Sequence, residues 1–426
     1  MNKTSINFKT IALIISLIGF STSCEKTTLD SLEPNSLEPI GDIPPPRVEY
    51  TTSMANHEFN DGWFNNNTHD VYNAMFLRGF TYIDYESDGD MDVFICRPPF
   101  LNGRQGDRLD YGIIIKEDNG WVYKLDMISE QLPYYASQIR TADLDNDGDG
   151  DIVIFVADDA GNYNNGQTPR EPAGGIFAYI WEDGKYNLIT IEGYREGGNE
   201  WFYHGGTLGD VNRDGLVDIV AGTTEVSVWI NNGNNTFIKQ DLVSLEPWNF
   251  ICSQFIFDIN KDGYPDLIVG APQDDKQGTR EFANSAFIFF GREGGSYYNN
   301  EPDVILQNPY FYNDIGRIHA CTFDISITDY DNDGDYDLFT NAYGENTGHL
   351  INYYENNNNN FTFKNIFEDN HQFYDGCNSG FMKVVDIDKD GNKEILLESG
   401  LPSKSYECSQ INGYKLTEGK LQQTRL

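Results

Sequence analysis

Six nine-residue segments of this chain crowd oxygen donors at one shared spacing. They occupy residues 84–92 (DYESDGDMD), 143–151 (DLDNDGDGD), 210–218 (DVNRDGLVD), 258–266 (DINKDGYPD), 329–337 (DYDNDGDYD) and 386–394 (DIDKDGNKE). Positions one, three, five and nine carry a carboxylate or an amide. These are Asp84, Glu86, Asp88 and Asp92; Asp143, Asp145, Asp147 and Asp151; Asp210, Asn212, Asp214 and Asp218. The later three sets are Asp258, Asn260, Asp262 and Asp266; Asp329, Asp331, Asp333 and Asp337; Asp386, Asp388, Asp390 and Glu394. Position seven (Asp90, Asp149, Leu216, Tyr264, Asp335 and Asn392) would add a backbone carbonyl. Alternate donors let a short loop wrap one hard cation, and Ca²⁺ takes about six to eight oxygens in flexible geometry. Position six is Gly in all six segments, which permits a sharp bend. The pattern therefore predicts up to six bound Ca²⁺. An EF-hand would need an acid at position twelve, where this chain has Ile95, Ile154, Ala221, Val269, Thr340 and Leu397. Apolar, β-rich runs follow each loop, so that motif is excluded.

The starts of the six segments lie 59, 67, 48, 71 and 57 residues apart, which makes them one repeat rather than chance acidic turns. Downstream of each is a tight-turn signal between apolar runs: Asn119-Gly120, Asp183-Gly184, Asn232-Gly233, Gly294-Gly295, an Asn tract at 356–360 and Glu418-Gly419. Such turns predict hairpins. Each repeat then has four strands: one leading into the acidic loop, one leaving it, and a hairpin. Four-stranded units repeated in tandem predict an all-β fold, a β-propeller of antiparallel blades around a channel. Six blades carry the motif; the alternative is seven, with a degenerate N-terminal blade from residues 47–76.

These loops resemble the FG-GAP/VCBS repeat family, the calcium-loop blades of integrin α-subunit propellers and of many bacterial surface proteins. The best match is residues 258–272, DINKDGYPDLIVGAP, and the resemblance covers about residues 77–426. It implies ions that rigidify blade turns rather than catalyse. It also implies that partners meet the face away from the acidic loops.

The chain holds 67 acidic and 29 basic residues, a net charge of −38. That argues against nucleic acid and anionic membrane surfaces as partners. Two charges being offset per ion, six Ca²⁺ would bring the net charge to about −26. Residues 1–23 read as an export signal: Lys3 and Lys9, an apolar run at 11–20, then small residues before Cys24. This resembles a bacterial lipoprotein signal in which Cys24 is lipidated, with Ser21 in place of the usual Leu. It implies a lipid anchor in the outer membrane, facing the cell surface. Residues 24–46 are polar and Pro-rich and read as a mobile tether to a propeller at 47–426. Residues 30–32 (DSL) also resemble a Bacteroidetes O-glycosylation signal. Cys96, Cys252 and Cys321 sit in apolar runs and read as packing residues; Cys377 and Cys408 could pair.

No zinc-helix His pair, nucleophile elbow, phosphate loop or dinucleotide turn is present in the sequence. The first reading is therefore a surface-anchored binding or adhesion protein that recognises glycan or protein ligands. The alternative is a polysaccharide lyase or hydrolase on the same scaffold, since an acidic chain can hide a carboxylate pair. Loop geometry puts all acidic loops and hairpin tips on one side of the disc. A ligand is expected on the other, near aromatics that precede the first strands: Trp201, Trp248, Tyr134 and Phe311. The competing expectation is that such rings wedge between blades.

Overall fold

The computed structural model describes residues 80–83, 92–97, 110–117, 120–134, 136–156, 174–193, 203, 205–222, 225–245, 251, 253–270, 284–294, 297–307, 321–344, 348–364, 382–385, 392–399, 410–417 and 420–424. The signal, tether and possible extra blade at 47–76 lie outside these, as do Cys24, Cys252, Cys377 and Cys408.

The described residues form six four-stranded antiparallel sheets and no helix. Blade one is β1 (Phe80–Ile83), β2 (Asp92–Arg97), β3 (Asp110–Glu117) and β4 (Gly120–Lys124). Blade two is β5 (Gln138–Ala142), β6 (Asp151–Val156), β7 (Gly175–Glu182) and β8 (Lys185–Gly193). Blade three is β9 (Gly206–Gly209), β10 (Asp218–Gly222), β11 (Glu225–Asn231) and β12 (Phe237–Ser244). Blade four is β13 (Gln254–Phe257), β14 (Asp266–Gly270), β15 (Asn284–Phe289) and β16 (Val304–Gln307). Blade five is β17 (Cys321–Thr328), β18 (Asp337–Gly344), β19 (Gly348–Asn357) and β20 (Asn360–Lys364). Blade six is β21 (Met382–Val385), β22 (Glu394–Ser399), β23 (Gln410–Thr417) and β24 (Lys420–Thr424). Each sheet is a meander in chain order, so the expected blades are present as a propeller fold.

First strands of successive blades lie side by side, β1 by β5, β5 by β9, β9 by β13 and β17 by β21. The second strand of a blade has both faces covered by its neighbours. That is why β6 (DIVIFV), β10 (DIVAG) and β14 (DLIVG) read as unbroken apolar runs and are buried throughout. The alternation of side chains divides each such strand between two cores. Ile152, Ile154 and Val156 face blade one, meeting Phe94, Tyr111 and Ile113. Val153 and Phe155 face blade three, meeting Leu208, Ile219 and Trp229. Outer strands are wet: β12 is largely exposed along FIKQDLVS, a polar edge that discourages pairing with another chain. Cys96 is buried, as its apolar run predicts.

The close approach of blades two and three depends on one residue without a side chain. Gly206 donates its N–H to Gln138 Oε1 at 2.7 Å and accepts from Arg140 Nε at 3.3 Å. A methyl added there would fall within the ring of Phe155, itself fully buried. Gly206→Ala is expected to cost about 1–3 kcal/mol through overpacking. Chemical denaturation reads this directly; an unchanged midpoint would show that the blades can part.

One hairpin departs from expectation. The Gly294-Gly295 signal predicts a tight turn, yet β15 ends at Phe289 and β16 begins at Val304. The connection folds back over the fourth acidic loop instead. It is anchored by Tyr298, which is 4% exposed and donates to Pro265 O at 3.1 Å. Burial of that ring is worth more than the shortest return.

Candidate metal centres

Four acidic loops, those at 143–151, 210–218, 258–266 and 329–337, are described throughout, and they share one internal wiring. The carboxylate at position one accepts from backbone N–H groups further round the loop. Asp258 Oδ1 takes the N–H of Asp262 at 3.0 Å, and Oδ2 that of Gly263 at 2.8 Å. Asp143 and Asp210 do the same. The position-seven N–H donates to the position-five carboxylate: Asp149 to Asp147, Leu216 to Asp214, Tyr264 to Asp262 and Asp335 to Asp333, at 2.8–2.9 Å. Position six has φ of 100°, 90°, 86° and 99° at Gly148, Gly215, Gly263 and Gly334, the left-handed region that a Cβ disfavours.

The sequence did not disclose that position four is left-handed too. Asn146, Arg213, Lys261 and Asn332 have φ of 62°, 63°, 59° and 60°. Asn tolerates this region, so half a signal was present at 146 and 332; Arg and Lys gave none. The bend throws the two basic side chains towards the next blade. Arg213 sits 4.7 Å from the ring centre of Tyr264, and Lys261 4.4 Å from that of Tyr336. Lys261 Nζ also reaches Gly334 O. Each contact links an acidic loop to the next by a cation–π pair.

Position nine works differently from the other donors. Asp151, Asp218, Asp266 and Asp337 are at most 1% exposed. One oxygen accepts the position-two N–H, from Leu144, Val211, Ile259 and Tyr330, at 2.8–2.9 Å. The other accepts an N–H at or just beyond the end of the third strand, from Trp181, Asn231, Gly291 and Asn356, at 2.7–2.9 Å. The residue thus staples the loop to the hairpin. This also places loop and hairpin on one face, as expected; Asn358 N–H at the fifth hairpin tip reaches Asp335 Oδ2 at 2.7 Å.

The donor set fits a hard cation. Oxygens around one Ca²⁺ at about 2.4 Å are at most about 4.8 Å apart. In Asp143, Asp145 and Asp147, and again in Asp329, Asp331 and Asp333, one oxygen from each residue lies within 4.8 Å of the others. Asp145 Oδ1 and Asp329 Oδ1 are buried and accept no hydrogen bond. Loops three and four place the Asn212 and Asn260 amides at position three, within the same wiring. In loop six Glu394 is buried, and its Oε1 lies 2.8 Å from Lys415 Nζ on β23. The longer acid therefore finds its hairpin partner in a side chain. Asn392 is exposed there, while Asp386, Asp388 and Asp390, with Asp84, Glu86, Asp88 and Asp90 of loop one, lie outside the described residues. Asp92 is described and buried.

Burial pushes the position-nine carboxyls up despite their hydrogen bonds: Asp151 and Asp266 to about 7, Asp218 and Asp337 to about 6. Desolvation also raises Asp145, Asp258 and Asp331. The unfolded chain would release these protons near pH 4, at about 3.9 for Asp. The stability that protonation confers is therefore full below that pH and lost as pH rises through 6–7. Without metal, the melting temperature is expected to fall from pH 5 to pH 8, and added Ca²⁺ should restore most of the loss at pH 8. Scanning calorimetry in chelator checks this; a melting temperature that rises with pH would contradict it.

Of the four aromatic residues proposed for a ligand, only Tyr134 lies among the described residues. It is partly buried against the core between blades one and two, 5.8 Å from Phe177 ring to ring. Tyr203, beside Trp201, is 3% exposed and meets Trp229 edge-on at 5.8 Å. At both positions the ring is a wedge between blades. Trp201, Trp248 and Phe311 lie outside the described residues.

Comparison with known families matches the FG-GAP-like repeat at residues 210–269 and the FG-GAP repeat at residues 256–289, taking in loops three and four. Integrin alpha-6 of Homo sapiens is 33% identical over 118 residues, which is 24% of this chain and 10% of that protein. The chain thus spans about a tenth of that relative's length. Residues 210–289 carry FG-GAP repeats, the blade unit in which the third and fourth acidic loops are set.

Proposed function

We propose that this protein is an exported, calcium-stabilised β-propeller that binds a glycan or protein partner and is held at a bacterial cell surface through Cys24. The observation that carries the metal reading is the pair of buried, unpartnered oxygens, Asp145 Oδ1 and Asp329 Oδ1, inside three-carboxylate clusters. Carboxylates at such spacing repel one another unless a cation sits among them. Ca²⁺ would be held by positions one, three and five with the position-seven carbonyl, and by position nine where its geometry allows. It would supply rigidity to the strand-one to strand-two turn of each blade. The FG-GAP match and the likeness to part of an integrin α chain support binding rather than catalysis. The net charge of −38 argues against a polyanion such as nucleic acid. We assign the partner to the face away from the acidic loops, where the sequence reading puts the connections at 98–109, 157–175, 270–284 and 344–349.

Immobilised full-length protein should retain a glycan or an envelope protein in Ca²⁺ and release it in chelator, with the glycan unaltered. Appearance of new reducing ends or unsaturated sugars during incubation would sink the binding-only reading. Failure to retain any glycan or envelope protein would sink the binding reading itself.

A further inference from the structure

The long connection of blade four closes over loops three and four and leaves a cavity of about 270 Å³ at the blade three–four junction. Its lining is unlike the rest of this acidic chain. Arg213, Arg292, Tyr264 and Tyr297 contribute two cations and two phenol rings, with Asn212 and the exposed Glu293 beside them. Arg292 is fixed from one side: one terminal nitrogen donates to Asn299, and the other lies 3.9 Å from Asp303 Oδ2. Its Nε is buried and has no hydrogen-bond partner. Arg213 is held over Tyr264 by the left-handed bend at position four, a contact with a ring face that consumes no N–H. Tyr297 is partly buried.

The Arg292 side chain stays 37% exposed and Arg213 is exposed, so both guanidinium groups can be reached by an acceptor. Guanidinium groups favour carboxylates because their fork matches two oxygens at once. Tyrosine faces favour a flat apolar surface with polar edges. The volume falls just below the usual range of ligand pockets, about 300–1,000 Å³, so it admits one sugar-sized body rather than a stretch of polymer. We propose that this cavity binds a uronate sugar, its carboxylate between Arg213 and Arg292 and its ring against Tyr264 and Tyr297. The site lies on the acidic-loop face. It is separate from the partner placed on the opposite face and does not depend on it.

The test is calorimetric titration of the full-length protein, in excess Ca²⁺, with galacturonate, galactose, acetate and N-acetylglutamate. Galacturonate is expected to bind once per chain, with a Kd of about 1 mM as suits a ligand of this size. Galactose, which lacks the carboxylate, and acetate, which lacks the ring, should each bind at least about tenfold more weakly. Arg213→Gln should weaken galacturonate by about tenfold or more, while the lost contact with Tyr264 lowers the melting temperature by only about 1 °C. Arg292→Gln should do the same; if it fails to fold, Arg213→Gln decides alone. Galacturonate binding no tighter than galactose, or unchanged binding in Arg213→Gln, overturns the proposal. Equal binding of N-acetylglutamate also overturns it, because the cavity would then read an acidic peptide side chain.

Discussion

Stripping Ca²⁺ from the protein is expected to lower its melting temperature by about 8 °C, the largest effect the structure predicts. The argument is mass action on several equivalent sites. A loop that binds only when folded contributes RT ln(1 + [Ca²⁺]/Kd) to stability. For loops at the weak, extracellular end of the calcium range, with Kd of about 10⁻⁴ M, 1 mM Ca²⁺ contributes about 1.4 kcal/mol each. The four fully described loops together give about 6 kcal/mol, and loops one and six would add to this. Spread over a propeller of about 350 residues, that becomes a shift of about 8 °C. Differential scanning calorimetry in 1 mM Ca²⁺ and in excess EDTA measures it. Mg²⁺ should restore little, because the ion demands tighter octahedral geometry and keeps its waters. A melt that does not move on chelation would mean the loops are acidic turns closed by their own hydrogen bonds.

Asp266→Ala should be the most damaging single substitution in the fourth loop. Asp266 is fully buried, and its two oxygens accept the N–H groups of Ile259 and Gly291, both at 2.8 Å. Asn260 N–H lies 3.3 Å from the same oxygen that Ile259 reaches. Removing the carboxylate leaves at least two buried donors unmet, at about 1–3 kcal/mol each, so about 2–6 kcal/mol in all. Asp266→Asn keeps one acceptor and turns an amide N–H₂ towards the other donor. It should lose about half as much, since burial already disfavours the charged form. Asp262→Ala is the contrast: that residue is exposed, and its loss should act on Ca²⁺ affinity more than on the metal-free fold. Denaturant unfolding of the three variants in EDTA separates the roles. Equal destabilisation by Asp262→Ala and Asp266→Ala would refute the staple.

The blades were legible because their cause is periodic. Six loops and the apolar runs beside them recur at one beat, and strand limits read from residues such as Asp151 and Glu394 fall at the observed starts of β6 and β22. The loop donors were legible for the same reason, as alternation within nine residues is a local property. What was hidden depends on distant partners. Nothing local to Asp266 reveals that its second oxygen meets Gly291, twenty-five residues on. Arg213 and Lys261 have no propensity for a left-handed bend, which the loop's closing hydrogen bonds impose on them. Gly294-Gly295 carried the right turn chemistry, but the burial of Tyr298 set the path. Tyr134 and Tyr203 show the same lesson for the aromatics. Their position before a first strand is equally compatible with a wedge and with a ligand shelf, and only the neighbouring blade decides.

The central claim is that the acidic loops are cation sites, and the most direct measurement is the number of ions bound per chain. Full-length protein is dialysed against buffered Ca²⁺ at about 1 mM, above the affinity range of such loops, and bound metal is counted by elemental analysis against protein concentration. The loops predict at least four Ca²⁺ per chain and up to six, with the count falling by one in the double variant Asp143→Ala, Asp147→Ala. A count of zero or one, or a count that this double variant leaves unchanged, would contradict the account.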